Sequence, residues 1–242
     1  MKYIYVFFLA LSLTVHSQSV ERIESVYDWF DSSIGQENSG LYQGVLYFEE
    51  YNMINENHRF FESEDFVLGK VVYHGQPYFN VKLKYDLFKD QLLTTPSYAS
   101  SALVIQLEKE KIEGFSLADR RFIRVDNTIR TGKLGFCEVL KQEANVLLLK
   151  KHRKTEKETI KNDIVFNEFL SKNSYYVMRN DSIFSMNSRK EITSFQPSIK
   201  KEISDYFKSY ASMKDSNYDA FMVLIFERLF SPEYDKRNLL NE

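Results

Sequence analysis

The sequence predicts an α+β fold that is mainly β: a curved antiparallel meander, folded as a half-barrel, barrel or sandwich, with a short N-terminal helix and two C-terminal helices. Three observations predict it. Aromatic residues are plentiful, with 20 Phe and 16 Tyr among 242 residues, and aromatic side chains favour pleated, half-buried surfaces. From Leu41 to Tyr176 short apolar runs alternate with turn signals, the texture of hairpin-connected strands. No strand–helix–strand rhythm breaks that texture, and no Gly-rich strand-to-helix turn occurs, which excludes dinucleotide-binding and P-loop folds.

The chain opens on Met1-Lys2 and the apolar run "YIYVFFLALSLTV". That run is shorter than the ~20 residues a membrane-spanning helix needs. Its basic start and the small residues of "VHS" before Gln18 fit a secretory signal peptide over residues 1–17. No cysteine follows at a lipid-attachment position. An exported chain without a further transmembrane span is the expectation.

Residues 18–34 are expected to form the N-terminal helix. Val20, Ile23, Tyr27 and Phe30 recur at helical spacing, Ser19 is a capping residue, and Glu21 and Glu24 suit the first turn. "GQENSG" then breaks the helix. The antiparallel β domain is assigned to residues 41–190. Its strands are read in "YQGVLYFEEY", "RFFES", "DFVLGKVVY", "PYFNVKLKYD", "QLLTT", "SALVIQLE", "KIEGFSL", "RRFIRVD", "LGFCEVL" and "NVLLLKKHRK", followed by a hairpin around Arg179-Asn180-Asp181. A C-terminal helical pair, 191–232, packs on the sheet. Pro197 opens one helix with Ile199, Ile203, Phe207 and Tyr210 on a single stripe, and the second contains an all-apolar run from Ala220 to Phe226. Residues 233–242 read as a loose tail.

The most patterned stretch is "GKVVYHGQPYFNVKLKYDLFKDQLL". His74 to Pro77 form a turn. Strict alternation beyond it places Phe79, Val81, Leu83 and Tyr85 on the core face and Tyr78, Asn80, Lys82, Lys84 and Asp86 on the outer face. Tyr78, Lys82, Lys84 and Asp86 are therefore the candidate binding row.

Composition and spacing exclude several activities. The formal charge is −2, from 32 basic and 34 acidic residues, without the basic excess of a nucleic-acid binder. Cys137 is the single cysteine, so no internal disulfide exists, and its strand setting reads as a small buried hydrophobe. His58, His74 and His152 have no zinc-ligand spacing, and no metal or cofactor fingerprint is present. "GFSLA" lacks the second glycine of a nucleophile elbow, so no catalytic residue is assigned. The charge run "LKKHRKTEKETIKND" reads as a solvated hairpin end.

Taken together, the 69–93 stretch, "IQLEKEKIEGFSLADRRFIRV", "GFCEVLKQEANVLLLKKHRK" and "YYVMRNDSIFSMNSRKEITSFQPSIKKEISDYFK" resemble exported β-rich proteins of Bacteroidota that carry a helical C-terminal end and have no characterised activity. The resemblance covers about residues 40–210 and departs at Cys137, where such proteins more usually show an aromatic. It implies a periplasmic or outer-membrane-peripheral location and transfers no catalytic residue. Three functions follow as expectations. The first is a non-enzymatic binding or assembly module for another envelope component. The second is a carrier sheltering a lipid or acyl chain in a half-barrel. The third is a hydrolase with paired carboxylates drawn from Glu62, Glu64, Asp65, Asp86 and Asp90.

Overall fold

The computed structural model describes residues 39–53, 57–96, 103–129 and 132–230, with single positions at 26, 27, 29 and 33. The expected signal peptide and C-terminal tail lie outside these residues, as does nearly all of the expected 18–34 helix. The four positions of it that are described, Val26, Tyr27, Trp29 and Ser33, are helical, and the first element with described bounds is a 3-10 turn, Gly40–Tyr42, capped by the Ser39 side chain, which accepts from the Leu41 amide. Thirteen strands are seen among the described residues, and every strand pairing among them is antiparallel. The chain divides into two compact units. One comprises 1–50, 61–86 and 91–118; the other comprises 51–60, 87–90 and 119–242.

The first unit contains β1 (Val45–Leu46), β2 (Val67–Tyr73), β3 (Gln76–Asp86), β4 (Gln91–Thr94), β5 (Ile105–Gln106) and β6 (Ile112–Leu117). Their order is β1-β5-β4-β3-β2-β6. No pairing joins β1 to β6 among the described residues, so this sheet is not a closed barrel. "RFFES" forms no strand, and "YQGVLYFEEY" contributes only the two residues of β1. The core is aromatic as well as aliphatic: Tyr85, Leu83, Leu92 and Ile112 have no exposed surface, and Tyr85 meets Phe115 edge-on at 5.2 Å.

The alternation of β3 departs from the expected one. Gly69 pairs with Val81, but Val71 pairs with Tyr78, so β3 carries one extra residue in between. Asn80 takes a φ of 52°, a left-handed angle that asparagine tolerates. The resulting β-bulge turns the strand by one residue. Val81, Leu83 and Tyr85 remain inside as expected, whereas Tyr78 turns in beside them and Phe79 turns half out.

Gly69 has a packing reason. A Cβ there would fall on the Ser116 carbonyl oxygen and lie 3.0 Å from Leu83 Cδ1. Gly69→Ala is expected to destabilise the unit by ~1–3 kcal/mol, read by urea denaturation.

The second unit contains β7 (Arg120–Ile129), β8 (Gly132–Glu143), β9 (Val146–Lys151), β12 (Ser174–Arg179) and β13 (Ser182–Ser185), in the order β7-β8-β9-β12-β13. A separate hairpin joins β10 (Lys154–Lys161) to β11 (Ile164–Ser171). The turn between β8 and β9 places Ala144 at φ 47°, where a Cβ is strained. Ala144→Asn is expected to raise the unfolding free energy by up to about 1 kcal/mol, because asparagine accepts this region more readily. A fall in thermal midpoint would contradict this.

Four helices follow: α1 (Arg189–Phe195), α2 (Lys200–Ser209), α3 (Ala211–Ser216) and α4 (Tyr218–Leu229). Pro197 opens a 3-10 turn, Pro197–Ile199, leading directly into α2. The expected pair is thus the core of a four-helix end. The helices bury Ile192, Ile203, Phe221 and Phe226 against Val146 and Leu148 of β9 and Val177 of β12. The opposite face of these strands packs Leu149, Val125, Leu134 and Tyr176 around Cys137, which has no exposed surface. Strand β9 is therefore covered on both sides, which explains its unbroken apolar run.

Candidate functional site

The expected binding row does not hold together as one outer face. Lys82 is exposed. Lys84 is half-buried, with its ammonium 4.5 Å from the centre of the Phe66 ring. Tyr78 is buried by the bulge, and Asp86 has no exposed surface.

Tyr78 instead reaches a depression of about 350 Å³ in the first unit. Three pieces of backbone build its wall. The Gly40–Tyr42 turn brings Gly40 and Gln43. The β2–β3 hairpin brings Tyr73, His74, Gln76 and Tyr78. The 3-10 turn Lys109–Lys111 brings Glu108 and Lys111. His74 and Gly75 have φ of 54° and 78°, the paired positive angles of a tight hairpin turn, and the His74 amide donates to the Lys111 carbonyl at 2.7 Å. That bond ties the hairpin to the neighbouring turn and fixes two walls together.

The chemistry of the lining is polar and balanced. Lys111 Nζ donates to Glu108 Oε1 at 2.8 Å, so the ammonium and carboxylate largely cancel. Burial holds the Tyr73 phenol above its ordinary value; the Glu108 backbone bond opposes this, the Glu108 carboxylate adds to it and Lys111 opposes it. The phenol stays protonated at neutral pH. A Cβ on Gly40 would meet only the Tyr78 hydroxyl, 3.8 Å away, so Gly40 leaves the mouth open.

The second unit concentrates charge differently. The run expected to be solvated divides: Lys150, Lys151 and His152 are buried, at 8%, 2% and 8% exposed, whereas Arg153, Thr155, Lys157, Glu158, Asn162 and Asp163 are exposed along the β10–β11 hairpin, as expected. Glu138 of β8 pairs directly with Lys150 of β9, which puts Glu138, Lys150 and His152 on one face. Glu138 Oε2 lies 2.5 Å from His152 Nε2, and its Oε1 accepts from Arg120 Nη1 at 2.9 Å. Lys150 Nζ and the Tyr175 hydroxyl each donate to Asp219 at 2.6 Å. Asp219 sits in the first turn of α4, where a carboxylate is favoured. On the other face Lys151 Nζ donates to Asp90 Oδ1 at 2.6 Å and to the Phe136 carbonyl at 3.0 Å.

Burial works to raise the Glu138 carboxyl, but the hydrogen bond and charge of His152, with Arg120, outweigh it and hold the group below its ordinary value. Asp219 is likewise held low: burial is opposed by Lys150 and Tyr175. Burial and the bond to Asp219 push the Tyr175 phenol far up. These groups interlock and satisfy one another, as a structural polar network does.

No family model, curated protein or solved structure matches this chain.

The acids considered for hydrolysis do not gather in a described cleft. Glu62, Glu64 and Asp65 are exposed, Asp86 is wholly buried, and Asp90 is engaged by Lys151. His58 accepts from the Phe60 amide at 3.2 Å through Nδ1. Among the described residues no three His, Cys, Asp or Glu side chains come together as metal ligands, and no helix is long and apolar enough to cross a membrane.

Sequence reasoning singled out Tyr78 and His74 but missed Gln43, Tyr73, Gln76, Glu108 and Lys111 as their neighbours. The pattern "HGQPY" was readable as a hairpin tip; nothing in the sequence said which turns would flank it.

Proposed function

We propose that the protein is an exported, non-enzymatic binding module of the cell envelope, and that it binds through the polar depression of its first unit. The supporting observation is a division of labour. The second unit draws Glu138, His152, Lys150 and Asp219 into a packed network, whereas the first unit leaves phenol, amide and imidazole groups lining an open recess. Binding sites combine a preformed recess with a few convergent polar groups.

The carrier reading needs a hollow apolar face. The helices of the second unit instead press Phe221, Phe226, Ile203 and Leu229 onto β9 and β12, and these residues have 0–4% exposure. A core packed this way leaves no room there for an acyl chain.

Native mass spectrometry of the protein released from its own envelope fraction tests the proposal. A small polar adduct that dissociates under mild activation is expected. A stoichiometric co-purified acyl lipid would contradict it and favour the carrier.

A further inference from the structure

Resting on that reading, we infer that the depression takes a neutral, polyhydroxylated ligand: a single sugar residue, free or at the end of a glycan. Its size decides the scale. A recess of about 350 Å³ lies at the small end of ligand pockets, room for one ring and its substituents.

The lining decides the chemistry. An anion would want a cation or an Arg fork at its disposal, yet the Lys111 ammonium is held by Glu108 at 2.8 Å. A lipid would want apolar walls, and the side chains here are phenol, amide, imidazole, carboxylate and ammonium. An extended peptide docks along a sheet edge or groove, and this recess is compact. What remains is a ligand carrying both donors and acceptors and no net charge. The amides of Gln43 and Gln76 each offer a donor and an acceptor to adjacent hydroxyls, and the protonated Tyr73 phenol, bonded to the Glu108 backbone, has its O–H to donate.

Such a site discriminates by leaving its own polar groups unpaired when the ligand lacks a hydroxyl. Loss of one hydroxyl from the sugar is therefore expected to weaken binding far more than a change in an apolar substituent.

The test is saturation-transfer NMR on the whole mature protein with a panel of neutral mono- and disaccharides, alongside inorganic phosphate and a neutral tripeptide as competing classes. Gly40→Phe fills the mouth without a close backbone neighbour, and Gln76→Ala removes one amide while leaving the entrance open. Thermal midpoints of both variants confirm folding. Transfer to one or more sugars is expected, with at least a tenfold loss of affinity in each variant. Sugar binding unchanged in Gly40→Phe would overturn the inference. If phosphate or peptide binds instead and Gly40→Phe abolishes it, the sugar assignment falls while the binding-module reading stands. If no probe class binds, both fall.

Discussion

Glu138→Ala is expected to lower the unfolding free energy by about 3–5 kcal/mol, because it removes one partner of a buried, hydrogen-bonded charge cluster. The Glu138 side chain is 3% exposed and lies between Arg120 and His152, and the His152 side chain is itself only 10% exposed. Truncation strands the imidazole against the Phe122 ring, 6.0 Å away, without its carboxylate. Arg120→Ala is the control. That side chain is 49% exposed, so water replaces its contact and the loss is about 1 kcal/mol or less. Equal losses in the two variants would contradict the assignment.

The same cluster sets an acid limit. The Glu138 and Asp219 carboxyls are held below their ordinary values of 4.5 and 3.8 in the folded chain. The unfolded chain therefore binds more protons than the folded one across and below those values. The stabilisation is fully present above them and is lost as pH falls through the lower folded values. Unfolding free energy is expected to drop steeply below about pH 4.5, and Glu138→Gln is expected to flatten that slope. A slope unchanged by the substitution would remove Glu138 from the account.

The second large effect belongs to the helical end. Phe221→Ala is expected to cost about 3–5 kcal/mol, from lost burial and the cavity left behind. Phe221 has no exposed surface, meets Phe207 edge-on at 5.0 Å and lies within the cluster joining α4 to β9 and β12. Phe48, 74% exposed, provides the contrast: Phe48→Ala is expected to stay within about 0.5 kcal/mol. Urea denaturation at constant slope distinguishes the two. A small loss at Phe221 would mean that the helices are not part of the cooperative core.

Much of this fold was legible along the chain. Period-two alternation put Val81, Leu83 and Tyr85 inside, and the Ala220–Phe226 run announced a broadly buried helix. Two of the failures share a cause: each depended on something the local pattern does not contain. One inserted residue opposite Lys70 reversed Tyr78 and Phe79, and only Asn80, a residue at ease with positive φ, hinted at it. The start of the charge run read as solvated because its partners are remote: His152 meets Glu138 across 14 residues, Lys151 meets Asp90 across 61 and Lys150 meets Asp219 across 69. Other misses were readable. Ser188 accepts from the Glu191 amide at 3.2 Å and the Glu191 carboxylate accepts from the Asn187 amide, a cap-and-return pattern at the start of α1 visible in "NSRKE". "IVFNEFLS" carries enough branched and aromatic residues to have been read as β11.

The recess was half legible. His74 and Tyr78 lie on the hairpin the sequence highlighted, but their companions come from two turns separated from it in sequence by about 30 residues on either side. Loop-borne groups assembled by a rigid sheet are where function commonly resides. Such assemblies depend on topology, which alternation does not specify.

Amide chemical-shift mapping of the isotopically labelled protein, titrated with the sugar panel, tests the central claim most directly. Shifts confined to Gly40, Gln43, His74, Gln76 and the Glu108–Lys111 turn, with Glu138, Lys150 and His152 unmoved, are the predicted result. Shifts centred on the charge network of the second unit, with the recess silent, would contradict it.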